Sequence, residues 1–227
     1  MRSWNLLSAG LIACAFALPV SAGEIVFTET FDTNNASWAN SAADDFVTHV
    51  PTGGVLDSGY VTTQRTFEEI AGGSSVTFRA QDEFNSSGNA FVGNWRELGY
   101  TQLKYSVRHN APVPVSFSAR ASGPGNFPGA TSVTFGAPVL PNVWTDLTFE
   151  FSAGSPSIVT YEGSDHETVF SNVGHVQVSM SVPVGFETST QPITIDLDNV
   201  SVAVPEPSSV ALASLLSLGL CWARRKK

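Results

Sequence analysis

The 227-residue chain reads as an all-β protein: a two-sheet antiparallel β-sandwich of jelly-roll type, flanked by an N-terminal signal helix and a C-terminal transmembrane helix. Three observations predict this. Apolar and polar residues alternate with period two through most of the middle of the chain, the pattern of half-buried strands. Clusters of Gly, Pro, Asn and Ser break the alternation about every ten residues, as strand turns do. Helical periodicity is almost absent, and strands with one apolar face each need a second apolar face to cover them, which two packed sheets supply together.

The first 22 residues, MRSWNLLSAGLIACAFALPVSA, carry one positive charge at Arg2, an apolar run from Leu6 to Leu18 and the small-residue step Val20-Ser21-Ala22. This is the layout of a secretory signal peptide cut after Ala22. Leu11-Ile12-Ala13-Cys14 also fits a lipoprotein box with Cys14 as the new N-terminus, but the apolar run continues past it to the better cut. The mature domain then spans 23–204.

Within that domain the alternation predicts strands at 24–31, 75–80, 102–109, 113–121, 131–137, 144–152, 157–163, 175–184 and 193–202, with weaker candidates at 45–50, 60–67 and 90–95. In 102–109, Leu103, Tyr105 and Val107 share one face while Gln102, Lys104, Ser106 and Arg108 share the other, giving a strand with one wet side. The sets Val115/Phe117/Ala119, Leu147/Phe149/Phe151 and Val176/Val178/Met180/Val182 repeat that design. Helix is limited to a turn near 65–70 or 96–98. The segments 122–129 and 162–174 are polar or Gly/Pro-rich and suit rim loops.

Residues 23–204 hold 19 acidic and six basic side chains, a formal charge of −13. Such a body does not bind nucleic acid by counterion release. The two cysteines, Cys14 and Cys221, fall outside the domain, so its stability rests on its core, with or without an ion.

Pro205 and Pro207 can neither extend a ladder nor enter a helix interior, so Pro205-Glu206-Pro207 marks the end of the sandwich and an extended joint. The apolar run 208–223 follows, about 24 Å long as a helix, and then Arg224, Arg225, Lys226 and Lys227, a basic cluster that stays on the cytoplasmic side of a membrane. Joint, apolar helix and basic tail in this order resemble the PEP-CTERM sorting signal of Gram-negative bacteria, over 205–227. The resemblance implies export by the Sec machinery, an inner-membrane-anchored precursor with its domain outside, and processing by an exosortase that reads Pro205, Glu206 and Pro207. It also implies delivery of the product to the cell surface or an extracellular polysaccharide matrix.

No nucleophile elbow, zinc-protease helix, phosphate-binding loop or paired-carboxylate strand is visible in the sequence, so no catalytic residue is assigned. Asp165-His166-Glu167 is the densest run of metal-capable groups, and it reads as a solvated acidic turn. The segments 27–38 (FTETFDTNNASW) and 193–202 (ITIDLDNVSV) resemble the first and last strands of jelly-roll carbohydrate-binding modules. That resemblance implies a structural Ca²⁺ held by Asp32 and Asp198, helped by Glu29 and Asp196. Sugar recognition needs exposed aromatic platforms. Of Trp38, Trp95, Tyr100, Phe127, Trp144 and Tyr161, the candidates are Phe127, in a Gly/Pro loop, and Trp95, between Asn94 and Arg96. The leading reading is a non-catalytic exported sandwich with glycan binding as its candidate role; the alternatives are a purely structural matrix protein and a surface hydrolase.

Overall fold

A computed structural model describes residues 24–41, 45–73 and 75–205. The expected signal helix and, Pro205 apart, the sorting segment lie outside the described residues, as do Glu206 and Pro207. Among the described residues no helix is long and apolar enough to cross a membrane.

Among the described residues eleven strands form two antiparallel sheets, as the alternation predicts: Glu24–Glu29 (β1), Thr48–Val50 (β2), Tyr60–Arg65 (β3), Val76–Gln81 (β4), Gln102–His109 (β5), Phe117–Ser122 (β6), Gly129–Val133 (β7), Thr145–Glu150 (β8), Ile158–Thr160 (β9), His175–Met180 (β10) and Ile193–Val204 (β11). One sheet runs β2-β3-β11-β5-β8, with β1 also on β11; the other runs β4-β10-β6-β7-β9. The inward residues are those the period-two reading selects. Leu103, Tyr105 and Val107 from β5 meet Phe117, Ala119 and Ala121 from β6 and Val176, Val178 and Met180 from β10, all buried. Tyr105 stacks on Phe149 at 4.8 Å and donates its hydroxyl hydrogen to the Ser118 carbonyl of the opposite sheet at 3.1 Å, so its polar tip is satisfied inside the core.

The departures have local causes. Segment 90–95 is not a strand, because Gly88, Asn89 and Gly93 all adopt positive φ; it buries Phe91 and leads into helix α1, Trp95–Leu98. Strand β6 starts at Phe117 rather than 113, since Pro112 and Pro114 have no N–H to give a ladder; there only Val115 makes a bridge, to Val139. Part of the expected rim loop 162–174 is helix α2, His166–Phe170, capped by Asp165, whose side chain accepts the Thr168 N–H, and anchored by Val169 and Phe170 in the core. Helix α3, Phe67–Ala71, falls where a turn was expected and carries a Thr66/Glu69 capping box.

Candidate functional site

Alternation sends the polar positions of β4, β10 and β6 to the outer face of the five-stranded sheet. Register then aligns them across the strands: Gln177 stands opposite Arg79 on β4 and Arg120 on β6. The result is a polar groove of about 420 Å³ whose lining includes Arg79, Ser118, Arg120, Thr131, Gln177 and Ser179, with Asn126 and Glu162 from the flanking loops.

Arg120 organises the groove. Its Nε and Nη2 donate to the two oxygens of Glu162 at 2.6 and 2.7 Å. Nη1 donates to Asn126 Oδ1 and Gln177 Oε1, both at 3.0 Å, and Nη2 also reaches the Asn126 carbonyl at 2.7 Å. The guanidinium lies flat against Gly129, where a Cβ would come within 2.5 Å of Nη2. The Arg120 contacts hold Glu162 below the ordinary carboxylate value. Arg79 differs: its Nε is buried and has no hydrogen-bond partner. Burial and the charge of Arg120 lower its affinity for its proton. A guanidinium is too basic to lose that proton near neutrality, so Arg79 stays a cation in the groove lining.

The aromatic candidates separate. Phe127, next to groove-lining Asn126, is 65% exposed. Trp95 is fully buried; it stacks on Phe170 at 5.7 Å and its Nε1 donates to the Phe91 carbonyl at 2.8 Å. The expectation that Trp95 touches a ligand is therefore corrected. Its polar neighbour Asn94 is the helix N-cap, accepting the Glu97 N–H, and the turn of α1 carries the indole inward.

Asp32 and Asp198 do meet, on loop 53–59 over the other sheet. A bulge at Asn199, which has φ of 49°, falls where the β11–β5 register shifts and sets the direction of Asp198. Asp198 Oδ2 accepts the Val55 N–H and the Ser58 hydroxyl, both at 2.8 Å, and Oδ1 accepts the Asn199 N–H at 2.6 Å. Asp32 accepts from Thr30 Oγ1 at 2.7 Å and from the Gly59 N–H at 3.4 Å. Burial, with the charge of Asp32 added, raises Asp198 above the ordinary carboxylate value. Calcium asks for six to eight oxygens turned toward one point. Here the loop turns proton donors toward the carboxylates, and a Cβ on Gly59 would strike the Phe31 carbonyl at 2.3 Å. As arranged, the residues do not fit a calcium ion. The proposed helpers are engaged as well: Glu29 accepts the Phe31 N–H, and Asp196 is held by Arg108 at 2.8 Å and Thr62 at 2.7 Å.

Asp165-His166-Glu167 forms no cluster. Asp165 caps its helix, His166 Nε2 lies 3.0 Å from the Phe151 carbonyl, and Glu167 pairs with Arg96 at 2.9 Å.

Residues 203–226 match the model of the PEP-CTERM protein-sorting motif. The chain carries that motif. Such a motif indicates an exported protein. No curated protein matches the chain. Among solved structures, the chain is similar to the CBM22-1–GH10 modules of Clostridium thermocellum endo-1,4-β-D-xylanase 10B complexed with xylohexaose (16% identity, TM-score 0.49), over 82% of this chain and 29% of that one. It is also similar to the CBM22-1 xylan-binding domain of Paenibacillus barcinonensis Xyn10C (10%, 0.48), over 83% of this chain and 99% of that one. A third likeness is to the L4b domain of human laminin alpha-2 (13%, 0.42), over 74% of this chain and 90% of that one.

Arg79, Arg120, Asn126, Glu162 and Gln177 were not singled out from the sequence. The outward positions of Arg79, Arg120 and Gln177 follow from alternation, but their meeting follows from a strand order that joins β4, β10 and β6, and Asn126 and Glu162 reach them from loops.

Proposed function

We propose that this chain is an exported, non-catalytic glycan-binding protein, sorted through an exosortase to the cell surface or an extracellular polysaccharide matrix, with the groove on the five-stranded sheet as its sugar site. The observation that carries the reading is the polar groove itself, to which Arg79 contributes a cation and whose floor Arg120 braces through Asn126, Glu162 and Gln177. Polar side chains that converge on an open groove can exchange hydrogen bonds with the hydroxyls of a sugar. Phe127 offers an apolar ring beside the groove for the C–H face of a sugar. Hydrolysis by the common route needs two carboxyl groups about 5–10 Å apart. Among the described residues lining the groove Glu162 is the one carboxylate, and Arg120 holds both its oxygens, which favours binding over cleavage.

Affinity electrophoresis of the purified full-length chain through gels containing the producer's own polysaccharide tests the site. Retardation is expected, weakened about tenfold or more by Arg79→Ala, the scale of one charge-assisted hydrogen bond, and about three- to tenfold by Phe127→Ala. Unretarded wild-type protein would leave the purely structural reading. For sorting, replacing Pro205, Glu206 and Pro207 by Ala, Gln and Ala should leave export intact and trap an uncut precursor in the inner membrane. Surface-released protein that still carries residues 208–227 by mass spectrometry refutes exosortase processing.

A further inference from the structure

One cluster lies outside the lining of the groove and has no part in the reading above. Strand register sets His175, the first residue of β10, opposite Gln81, the last of β4. The chain then turns, the Asp82 N–H binding the Gly174 carbonyl at 3.0 Å, and brings Asp82 and Glu83 back over the imidazole. His175 Nε2 lies 2.9 and 3.1 Å from the two Glu83 oxygens and 3.6 Å from Asp82 Oδ1. One ligand atom from each residue falls within 4.8 Å of the other two. Among the described residues no other three metal-capable side chains converge in this way.

The hydrogen bonds fix the state of the ring. Arg120 can only donate, so the Asn126 atom it meets is an oxygen, and the Gln177 atom it meets is one too. Gln177 therefore turns its NH₂ to Asn126 Oδ1 at 2.7 Å, and that same oxygen faces His175 Nδ1 at 3.3 Å. Nδ1 must carry a hydrogen. Nε2, as a bare lone pair, would then point at a carboxylate 2.9 Å away, so the contact needs a hydrogen or a cation between the two. Asp82 shows the same lack, since its Oδ1 is buried without a hydrogen-bond partner.

We propose that Asp82, Glu83 and His175 bind a divalent transition-metal ion of the zinc type. Zinc–ligand bonds of 2.0–2.2 Å in a tetrahedron put ligand atoms about 3.3 Å apart, and the separations from Nε2 bracket that value. An imidazole with two carboxylates selects zinc or its neighbours over calcium, which requires many more oxygens. Asn126 serves as the outer partner that orients a ligating histidine through its other nitrogen. The imidazole is 5% exposed and the Glu83 side chain 51%, so the ion would have a buried floor and a solvent side, with a fourth position for water or a ligand.

Calorimetric titration of the purified full-length chain in detergent with ZnCl₂, and the visible spectrum after adding Co²⁺, test the site. The expected result is one metal ion per chain, four- or five-coordinate cobalt bands, and no competition from excess Ca²⁺. Glu83→Gln, a half-exposed change that spares the core, should weaken binding by at least tenfold while the variant still melts cooperatively; Asp82→Asn should do the same. A folded wild-type protein that gives neither heat nor cobalt bands overturns the proposal and leaves a proton in the contact between His175 and Glu83. So does metal binding unchanged in both variants, which would place the ion elsewhere, Cys14 and Cys221 included.

Discussion

The outer faces of the two sheets start from the same alternation and finish differently. On the six-stranded sheet, loop 53–59 lies over the strands and engages their polar side chains. Asp198 holds Val55 and Ser58. Arg108 binds Asp196 and the Gly53 carbonyl while resting 4.6 Å from the centre of the Trp144 ring and 5.1 Å from that of Tyr60, and Trp144 Nε1 donates to the same carbonyl. On the five-stranded sheet the loops carrying Asn126 and Glu162 brace Arg120, and the Nε of Arg79 is left without an acceptor. An outward polar residue on a strand is thus structural or available according to the loop above it. Strand pattern does not decide which.

The largest effect should come from cutting the covered face. Asp198→Ala strands a buried N–H and hydroxyl, an expected loss of about 3 kcal/mol, or roughly 6–12 °C in melting temperature for a domain of this size. A change under a degree in a thermal melt would remove the distinction between the faces.

A subtler contrast lies in pH. Contacts with Arg120 lower Glu162, so its contribution is present above the unfolded carboxylate value and lost as pH falls through the folded one. Burial raises Asp198, so its contribution has the opposite sign: present below the unfolded value, lost as pH rises through the folded one. Melting curves from neutral to acid should therefore show the deficit of Glu162→Gln shrinking toward acid and that of Asp198→Asn growing. Slopes of the same sign would contradict the assignment. The smallest effect is expected from Ca²⁺, because donors already fill the carboxylates of Asp32 and Asp198. Excess Ca²⁺ over metal-free protein should leave the melting curve in place, whereas a rise would mean that loop 53–59 opens to admit the ion.

Much of this architecture was legible in the sequence, because burial of alternate residues is a local signal. The stretch 102–109 is β5 to the residue, and Asp32 and Asp198 do share one loop. Trp95 was misjudged because polar neighbours look like surface when one of them is a helix cap; the spacing of Asn94 and Glu97 was the available clue. The groove was not legible for another reason. Arg79, Arg120 and Gln177 lie far apart in sequence, and only strand order and register bring them together. His175 with Asp82 and Glu83 follows the same rule, joined by a ladder rather than by spacing.

Strand β11 has one more consequence. It pairs with β3 and β1 along one side and β5 along the other, and it ends at Val204, immediately before Pro205. The middle of a sheet is therefore the last part of the domain to be made and, in an exported chain, the last to be threaded across. Until residues 193–204 emerge, β1, β3 and β5 have no common neighbour and the six-stranded sheet cannot assemble. Completion of the fold and emergence of residues 205–227 are in this way nearly simultaneous, and a chain stopped before residue 193 would be a chain that had not closed.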